Sequence, residues 1–295
     1  MFIDVHLHTT RKKSLPRNEK GDNYASPEEL IEMMDRAGVD KGILLPGVNP
    51  ECRKQFSTVE DIMDVCEKYP DRFIPFCNID PRAEKNSPDA DLSRQLLFYK
   101  EKGCKGVGEV CANLYFDDLL VQNLFKHCQK SQMPLLFHIA PQKGNCYGLI
   151  DNLHLPRLEK SLKDFPDLIF IGHSQPFWSE ISGDVTNENR NTYPEGKVTS
   201  GGTVPRLMKE YPNLYGDISA GSGYNALTRD PEFGYAFIEK FQDKLFFGTD
   251  ICSPTNDHRH AEFLRNAYKE GNISKEAFKK ISWQNVNRVL KLGIE

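Results

Sequence analysis

Two histidines separated by one residue lie near the start of the chain, in a segment of alternating polarity. Residues 2–8 read Phe-Ile-Asp-Val-His-Leu-His. A period of two predicts a β-strand, whose successive side chains point to opposite faces. The apolar face would consist of Ile3, Val5 and Leu7. His6 and His8 would share the other face with Asp4, and two imidazoles at one strand end can bind one metal ion together.

Four further side chains that suit a metal ion each follow an apolar run: Glu109, His138, His173 and Asp250. Each is predicted at the C-terminal end of a strand, which is where parallel barrels place their active sites. Imidazole and carboxylate donors without a thiolate suit Zn²⁺, Mn²⁺, Fe²⁺ or Ni²⁺. Six donors exceed the needs of one tetrahedral ion, and a shared glutamate would bridge two ions about 3.5–4 Å apart. The six residues therefore predict a centre for one or two divalent metal ions, with zinc favoured.

The elements that must position these groups alternate along the chain. Apolar runs predict eight strands, at residues 2–8, 41–46, 72–79, 104–111, 134–139, 168–173, 214–219 and 244–250. Capping residues, helical spacing and Gly or Pro stops predict helices at 26–37, 57–69, 87–102, 117–131, 155–165, 203–211, 230–241, 257–270 and 274–292.

Strict βα alternation predicts an α/β fold, a closed (β/α)₈ TIM barrel with extra C-terminal helices. An open doubly wound sheet is the alternative. It would normally carry a Gly-rich phosphate turn after the first strand, and residues 9–13 contain none.

The composition limits the classes of function. The 295 residues are 39% hydrophobic and contain no linker-like segment, which predicts one domain over residues 1–295. The net charge of −4 does not indicate nucleic acid or an anionic membrane as partner, and no apolar run approaches the roughly 18 residues of a membrane span. The N-terminal strand leaves no room for a secretory signal. The eight cysteines include no Cys-x-x-Cys pair, so we expect reduced thiols in a cytoplasmic protein. The expected partner is a small-molecule substrate. The oligomeric state stays open, a homodimer being one option.

The six residues resemble the ligand set of the amidohydrolase superfamily over nearly the whole chain. Its hallmark is His-x-His on strand one, histidines on strands five and six, and an aspartate on strand eight. Many members carry a carboxylated lysine on strand four, where this chain has Glu109, as in TatD-like branches. The ending Trp-Gln-Asn-Val-Asn-Arg-Val-Leu resembles the amidohydrolase-related branch, which contains hydrolases, hydratases and decarboxylases.

The resemblance implies a role for each ligand. His6, His8 and Asp250 would hold a first ion, Glu109 would bridge, and His138 and His173 would hold a second: this is the binuclear arrangement. In a mononuclear site, as in the branch's decarboxylases, His173 would be a catalytic acid or base and Glu109 would only support the ligands. The polymerase-and-histidinol-phosphatase family has a similar opening. It would need Asp-x-His near the last strand, where Asp250 is instead followed by Ile251 and Cys252.

Three functions are consistent with these residues. The first is a metal-dependent hydrolase in which a metal-bound hydroxide attacks an ester, lactone or amide, with Asp250 as the proton shuttle. The second is a metal-dependent lyase, a decarboxylase or hydratase of an unsaturated or aromatic acid. The third is a barrel that binds metal without turnover. Glu109 favours the first, because a bridging carboxylate serves a two-metal site.

Long loops at the expected barrel mouth supply the candidate substrate contacts. The basic loop 9–25 contains Arg11, and such a loop beside a metal centre favours an anionic substrate, with simple solvation as the alternative. Residues 174–202 are predicted to form a lid with Trp178 as a wall of the substrate site. His258, after the last strand, is a further candidate, with an ordinary surface position as the alternative.

Overall fold

A computed structural model describes residues 1–256 and 258–295. Within them nine strands are formed: β1 (Ile3–Leu7), β2 (Lys41–Leu44), β3 (Phe73–Pro75), β4 (Val107–Val110), β5 (Leu135–Ala140), β6 (Leu149–Ile150), β7 (Phe170–His173), β8 (Leu214–Asp217) and β9 (Leu245–Phe246). Eight of these strands build a parallel barrel, and the two-residue β6 adds to the edge of β5. The predicted (β/α)₈ barrel is confirmed.

The barrel is closed at two narrow junctions. Ladders join β1 through β3 and, separately, β4 through β9. The first junction is the parallel bridge between Cys77 and Val107. The second is the bridge between Leu7 and Ile251, where the first strand meets the chain beyond β9. The closure brings residues from opposite ends of the sequence to one rim.

In the part of the chain that the structure describes, twelve helices surround or follow the strands: α1 (Pro27–Ala37), α2 (Val59–Lys68), α3 (Ser93–Glu101), α4 (Leu119–Lys130), α5 (Pro156–Asp164), α6 (Gln175–Ser179), α7 (Thr203–Glu210), α8 (Ala220–Thr228), α9 (Pro231–Phe241), α10 (His260–Lys269), α11 (Lys275–Lys279) and α12 (Asn285–Leu290). A π-helical turn at Lys280–Gln284 joins the last two. Helices α1 and α2 begin with capping boxes at Ser26 and Thr58, and serine and threonine are residue types favoured at an N-cap. No described helix has the length and apolar character needed to cross a membrane.

Some predicted elements differ from those observed. The helix predicted at 87–102 begins only at Ser93, and α6, α8 and β6 were not predicted. The helix predicted at 257–270 starts at His260 among the described residues, and its predicted first residue, Asp257, lies outside them. The Gly-rich segment that forms α8 has low intrinsic helix propensity, so its helix depends on packing against α6 and α9.

The core has an inner and an outer layer. Ile3 and Val5 lie inside the barrel, where Val286 and Leu290 of α12 close its lower end. Leu7 instead packs in the outer layer, between the strands and the helices. The prediction that these three apolar residues of β1 share one face is therefore wrong. The pairing register of β1 with β2 shifts between Asp4 and Leu7, and such an irregularity redirects the side chains that follow it.

Candidate metal centre

The structure gathers the six predicted metal-compatible residues at the C-terminal rim of the barrel. His6, Glu109, His138 and His173 lie on barrel strands, His8 directly follows β1, and Asp250 follows β9. Two overlapping groups have ligand atoms within 4.8 Å of one another: His6 with His8 and Asp250, and His6 with Glu109 and His173.

The Nε2 atoms of His6 and His8 lie together, and one oxygen each of Asp250 and Glu109 lies close to both. The two Nε2 atoms of His6 and His8 are 3.0 Å apart. Asp250 Oδ1 lies 3.4 Å from Nε2 of His6 and 3.6 Å from Nε2 of His8. Glu109 Oε2 lies 3.7 and 3.5 Å from the same two nitrogens. A tetrahedron of donors about 2.1 Å from a zinc ion has edges of about 3.4 Å. The nitrogen and oxygen donors therefore fit a divalent metal ion in number, type and spacing.

Asp217, at the end of β8, fixes the orientation of the histidines and was not among the predicted site residues. His6 Nδ1 donates to Asp217 Oδ2 at 2.6 Å, and His173 Nδ1 lies 3.1 Å from the same oxygen. Burial opposes ionisation of this carboxyl, but the two imidazoles outweigh it and hold the pKa of Asp217 well below its usual value. The Nε2 atoms of both histidines are thus left free to face the centre.

Glu109 divides its two oxygens between two partners. Oε2 faces His6 and His8, while Oε1 accepts a hydrogen bond of 2.7 Å from His138 Nδ1. Burial disfavours the charged carboxylate, but these imidazoles hold the pKa of Glu109 well below its usual value. His138 contacts the cluster through this hydrogen bond to Glu109. Neither of the two metal-compatible groups found among the described residues includes His138.

Asp250 combines an uncommon backbone conformation with partial exposure. Its φ of 58° lies in the left-handed region, which residues other than glycine rarely adopt. Its N–H donates to the carbonyl of His6 at 2.9 Å, which ties this conformation to β1. Its carboxyl is 26% exposed, against 7% for that of Glu109. One oxygen faces the imidazoles, and the side chain also lines the open cavity.

A cavity of about 270 Å³ opens above the cluster. Its wall carries both charges, together with Tyr147: the cations are Arg17, Arg53 and Lys54, and the acids outside the cluster are Asp22 and Glu51. The ring of Tyr147 contacts that of His138 in a tilted arrangement, with centroids 4.5 Å apart and an angle of 46° between the ring planes. Tyr147 is 42% exposed, but desolvation of its hydroxyl within the site and the nearby charges of Glu109 and Asp250 raise its pKa well above the usual value, so the hydroxyl keeps its proton.

The three predicted substrate contacts lie outside this wall. Arg11 is on the protein surface, where it pairs with Asp61 and Asp64. His258 lines a separate groove near Arg36 and Arg265, between α1 and α10. Loop 9–25 does reach the cavity, but through Arg17 rather than Arg11.

Trp178 is a core residue rather than a wall of the cavity. It is 1% exposed and packs against Phe177 and Phe237. Its indole Nε1 donates to the backbone carbonyl of Asp217 at 2.8 Å. The aromatic side chain is therefore part of the structure that holds Asp217 in place.

Replacing Trp178 with phenylalanine should lower the free energy of unfolding by about 1–3 kcal/mol, because the buried carbonyl of Asp217 loses its donor and the smaller ring leaves a cavity. Urea denaturation would measure this loss. The control is Trp283→Phe at a partly buried position, which should cost less. Equal stabilities of the Trp178 variant and the unchanged protein would contradict this role.

Comparisons with known proteins agree with this geometry. The model of the family described as amidohydrolase matches residues 3–292. No curated protein matches the chain with significant similarity.

Solved structures share the fold over almost the entire chain. The 5-carboxyvanillate decarboxylase of Sphingomonas paucimobilis is 15% identical with a TM-score of 0.62, covering 98% of each chain. The probable 2-pyrone-4,6-dicarboxylic acid hydrolase of Acinetobacter baumannii, solved with citric acid, is 14% identical with a TM-score of 0.60, covering 98% of this chain and 99% of that one. The 5-carboxyvanillate decarboxylase of Novosphingobium aromaticivorans, solved with manganese, is 17% identical with a TM-score of 0.57, covering 99% of this chain and 97% of that one. With the family match across the whole barrel, these findings show that the chain belongs to the amidohydrolase family of enzymes.

Proposed function

We propose that the protein is a metal-dependent hydrolase that cleaves an ester, lactone or amide bond in a small carboxylate-bearing molecule. The observation that supports the proposal is that the two carboxylate oxygens of Glu109 face different imidazoles. One of its oxygens faces His6 and His8, and the other meets His138. A carboxylate whose two oxygens lie beside different imidazoles suits a bridging position between two ions. Zinc is the preferred ion, because it favours tetrahedral nitrogen and oxygen donors.

Each residue around the cavity would have its own role in hydrolysis. A bound ion would polarise the substrate and lower the pKa of a water molecule. Asp250, partly exposed beside the imidazoles, would take the proton from the attacking water and deliver it to the leaving group. Tyr147 keeps its proton and can donate a hydrogen bond to an oxygen that gains negative charge. His173, held by Asp217, would complete the ligand set for the second ion.

A decarboxylase is the second candidate function, and two observations favour it. The hydrogen bond between His138 and Glu109 is complete without a second ion. Two of the structures that share this fold are 5-carboxyvanillate decarboxylases. In this alternative one ion would lie among His6, His8 and Asp250, and His173 would act as an acid or base.

Counting metal ions and identifying products separates the two functions. The protein is loaded with zinc or manganese, dialysed and measured by elemental mass spectrometry. It is then assayed with carboxylated lactones and with aromatic carboxylic acids. The hydrolase predicts two ions per chain and acid release from a lactone, whereas the decarboxylase predicts one ion and release of CO₂. If the metal-loaded protein performs neither reaction, the result would favour the third function, a barrel that binds metal without turnover.

Arg53 on the cavity wall predicts a preference for acidic substrates. Replacing Arg53 with methionine should raise KM for a carboxylate-bearing substrate by about tenfold or more, because a charge-assisted hydrogen bond is lost. Steady-state kinetics measures this effect. Arg11→Met is the matched control, because Arg11 lies on the same side of the barrel but pairs with surface aspartates. Equal KM values for the Arg53 variant and the unchanged enzyme would rule out this contact.

A further inference from the structure

The outer face of α3 carries two large apolar side chains on the protein surface. Leu97 and Phe98 are 48% and 51% exposed. On the opposite side of the helix Leu96 is buried in the core, and the hydroxyl of Tyr99 donates to Glu60 of α2 at 2.7 Å. One face of α3 therefore fixes the helix to the barrel, while the apolar centre of the other face remains half exposed to solvent.

Opposite charges lie at the two ends of this apolar centre. Arg94 is one turn before Leu97 and Phe98, and Glu101 is one turn after them. The spacing i, i+3, i+4, i+7 places the four side chains in one stripe along the helix, called here the α3 stripe. Arg94 and Glu101 are exposed, and in the described part of the chain neither has an ion pair or a side-chain hydrogen bond. Both charges are therefore available to a partner.

The α3 stripe is complementary to a second copy of itself. The midpoint between Arg94 and Glu101 is also the midpoint between Leu97 and Phe98. If a second α3 packs antiparallel about a twofold axis at this midpoint, Arg94 of each copy lies level with Glu101 of the other. Leu97 then lies level with Phe98. A parallel pair would place like charges side by side, and like charges repel. The charges therefore select the antiparallel arrangement.

A groove of about 570 Å³ beside the α3 stripe has room for side chains of the second copy. Its wall includes Phe98 and Tyr99 of the helix and Glu84 of the preceding loop. Gln95 Nε2 donates to Glu84 and so holds this loop against the helix. Helices pack with the side-chain ridges of one in the grooves of the other. Each copy offers both a ridge and a groove, as a twofold interface requires.

We propose that the α3 stripe is the interface of a homodimer in which two copies of α3 pack antiparallel. The apolar centre supplies most of the affinity, because exposed ion pairs contribute little on their own. The charged ends set the direction of the pairing. A single pair of helices is a small interface, so we expect association in the micromolar range. This assembly goes beyond the proposed function and does not depend on the reaction that the barrel performs.

Sedimentation equilibrium of the full chain at about 1–200 µM, in a buffer of low ionic strength, measures the association. We expect the mass to rise with concentration from 33.7 kDa toward twice that value. Phe98→Glu should weaken the association about tenfold or more, because it places a charge at the apolar centre. Tyr193→Glu is the matched control, since Tyr193 is 51% exposed but lies between β7 and β8, whereas α3 lies between β3 and β4.

Charge reversals test the antiparallel direction. Arg94→Glu places a glutamate opposite Glu101 of the second copy, and Glu101→Arg places an arginine opposite Arg94. Each variant alone should associate about ten times more weakly than the unchanged chain, because like charges then meet. An equimolar mixture of the two variants should regain the association as a heterodimer, because both contacts then join opposite charges. Arg36→Glu, at an exposed position on α1, is the control and should leave the association unchanged.

Three results would overturn this interface. The first is a mass of 33.7 kDa over the whole concentration range, and the second is a dimer that Phe98→Glu leaves unchanged. The third is a mixture of the two charge variants that associates no better than either alone. Growth beyond twice the chain mass would indicate a head-to-tail contact and would also contradict a twofold interface. Thermal unfolding checks that each variant is folded, and if Phe98→Glu is not, the mixture of charge variants decides.

Discussion

Replacing Asp250 with asparagine should reduce kcat by about 10²–10⁴-fold, the usual contribution of a positioned acid or base. Asparagine keeps an oxygen that can face the imidazoles but cannot accept a proton at neutral pH. Most of the metal should therefore remain bound. Steady-state kinetics and elemental mass spectrometry on the same preparation measure both quantities.

The control for this variant is Asp22→Asn. Asp22 lines the same cavity, but it bonds Ser253 and lies 3.9 Å from Arg17 rather than beside the imidazoles. Its replacement should change kcat by less than about tenfold. A metal-loaded Asp250 variant with the turnover of the unchanged enzyme would show that Asp250 is a ligand without a role in proton transfer.

Replacing Asp217 with asparagine should weaken metal binding by about 10–100-fold, although Asp217 is not itself a predicted ligand. Its Oδ2 accepts a hydrogen bond from Nδ1 of His6 and lies 3.1 Å from Nδ1 of His173. An amide in the same place removes the negative charge and offers a donor where an acceptor is needed. The histidines would then lose the orientation that directs Nε2 toward the centre. Competition with a chelator of known affinity measures the change.

Asp151→Asn is the matched control for this second prediction. Asp151 is also fully buried, and burial raises the pKa of its carboxyl to about 6. Its oxygens accept from the N–H groups of Arg157 and Leu158 at the start of α5, remote from the histidines. This variant should lose stability without losing metal affinity. Unchanged metal affinity in Asp217→Asn would mean that packing alone orients His6.

The positions of the metal-compatible residues could be predicted because they depend on periodicity. A charged or imidazole group after an apolar run marks a strand end, and parallel strands bring such ends to one rim. Asp217 satisfies the same rule, at the end of β8, but its contacts with two histidines only become visible in three dimensions. A search for every acid that follows an apolar run would have found it.

The loop residues could not be placed from the sequence, because burial of a loop side chain depends on tertiary contacts. Arg11 and Arg17 belong to the same basic loop, yet only Arg17 turns into the cavity, where it donates to Cys252 Sγ. Trp178 lies in a long segment whose composition is typical of a lid, but the five-residue helix α6 packs its side chain into the core. The Gly-rich sequence of α8 did not predict a helix, because its helical state depends on tertiary packing.

The narrow junction between the first strand and the chain after β9 has a consequence for folding. Among the described residues, three backbone hydrogen bonds cross it: the N–H of Val5 donates to Phe247, that of His8 to Ile251 and that of Asp250 to His6. The same junction carries His6, His8 and Asp250. An ion bound there would link the two ends of the chain, and because it binds only the closed barrel it would stabilise the native state by an amount that rises with the logarithm of its free concentration. Metal supply would then contribute to the stability of the folded protein as well as to its catalysis.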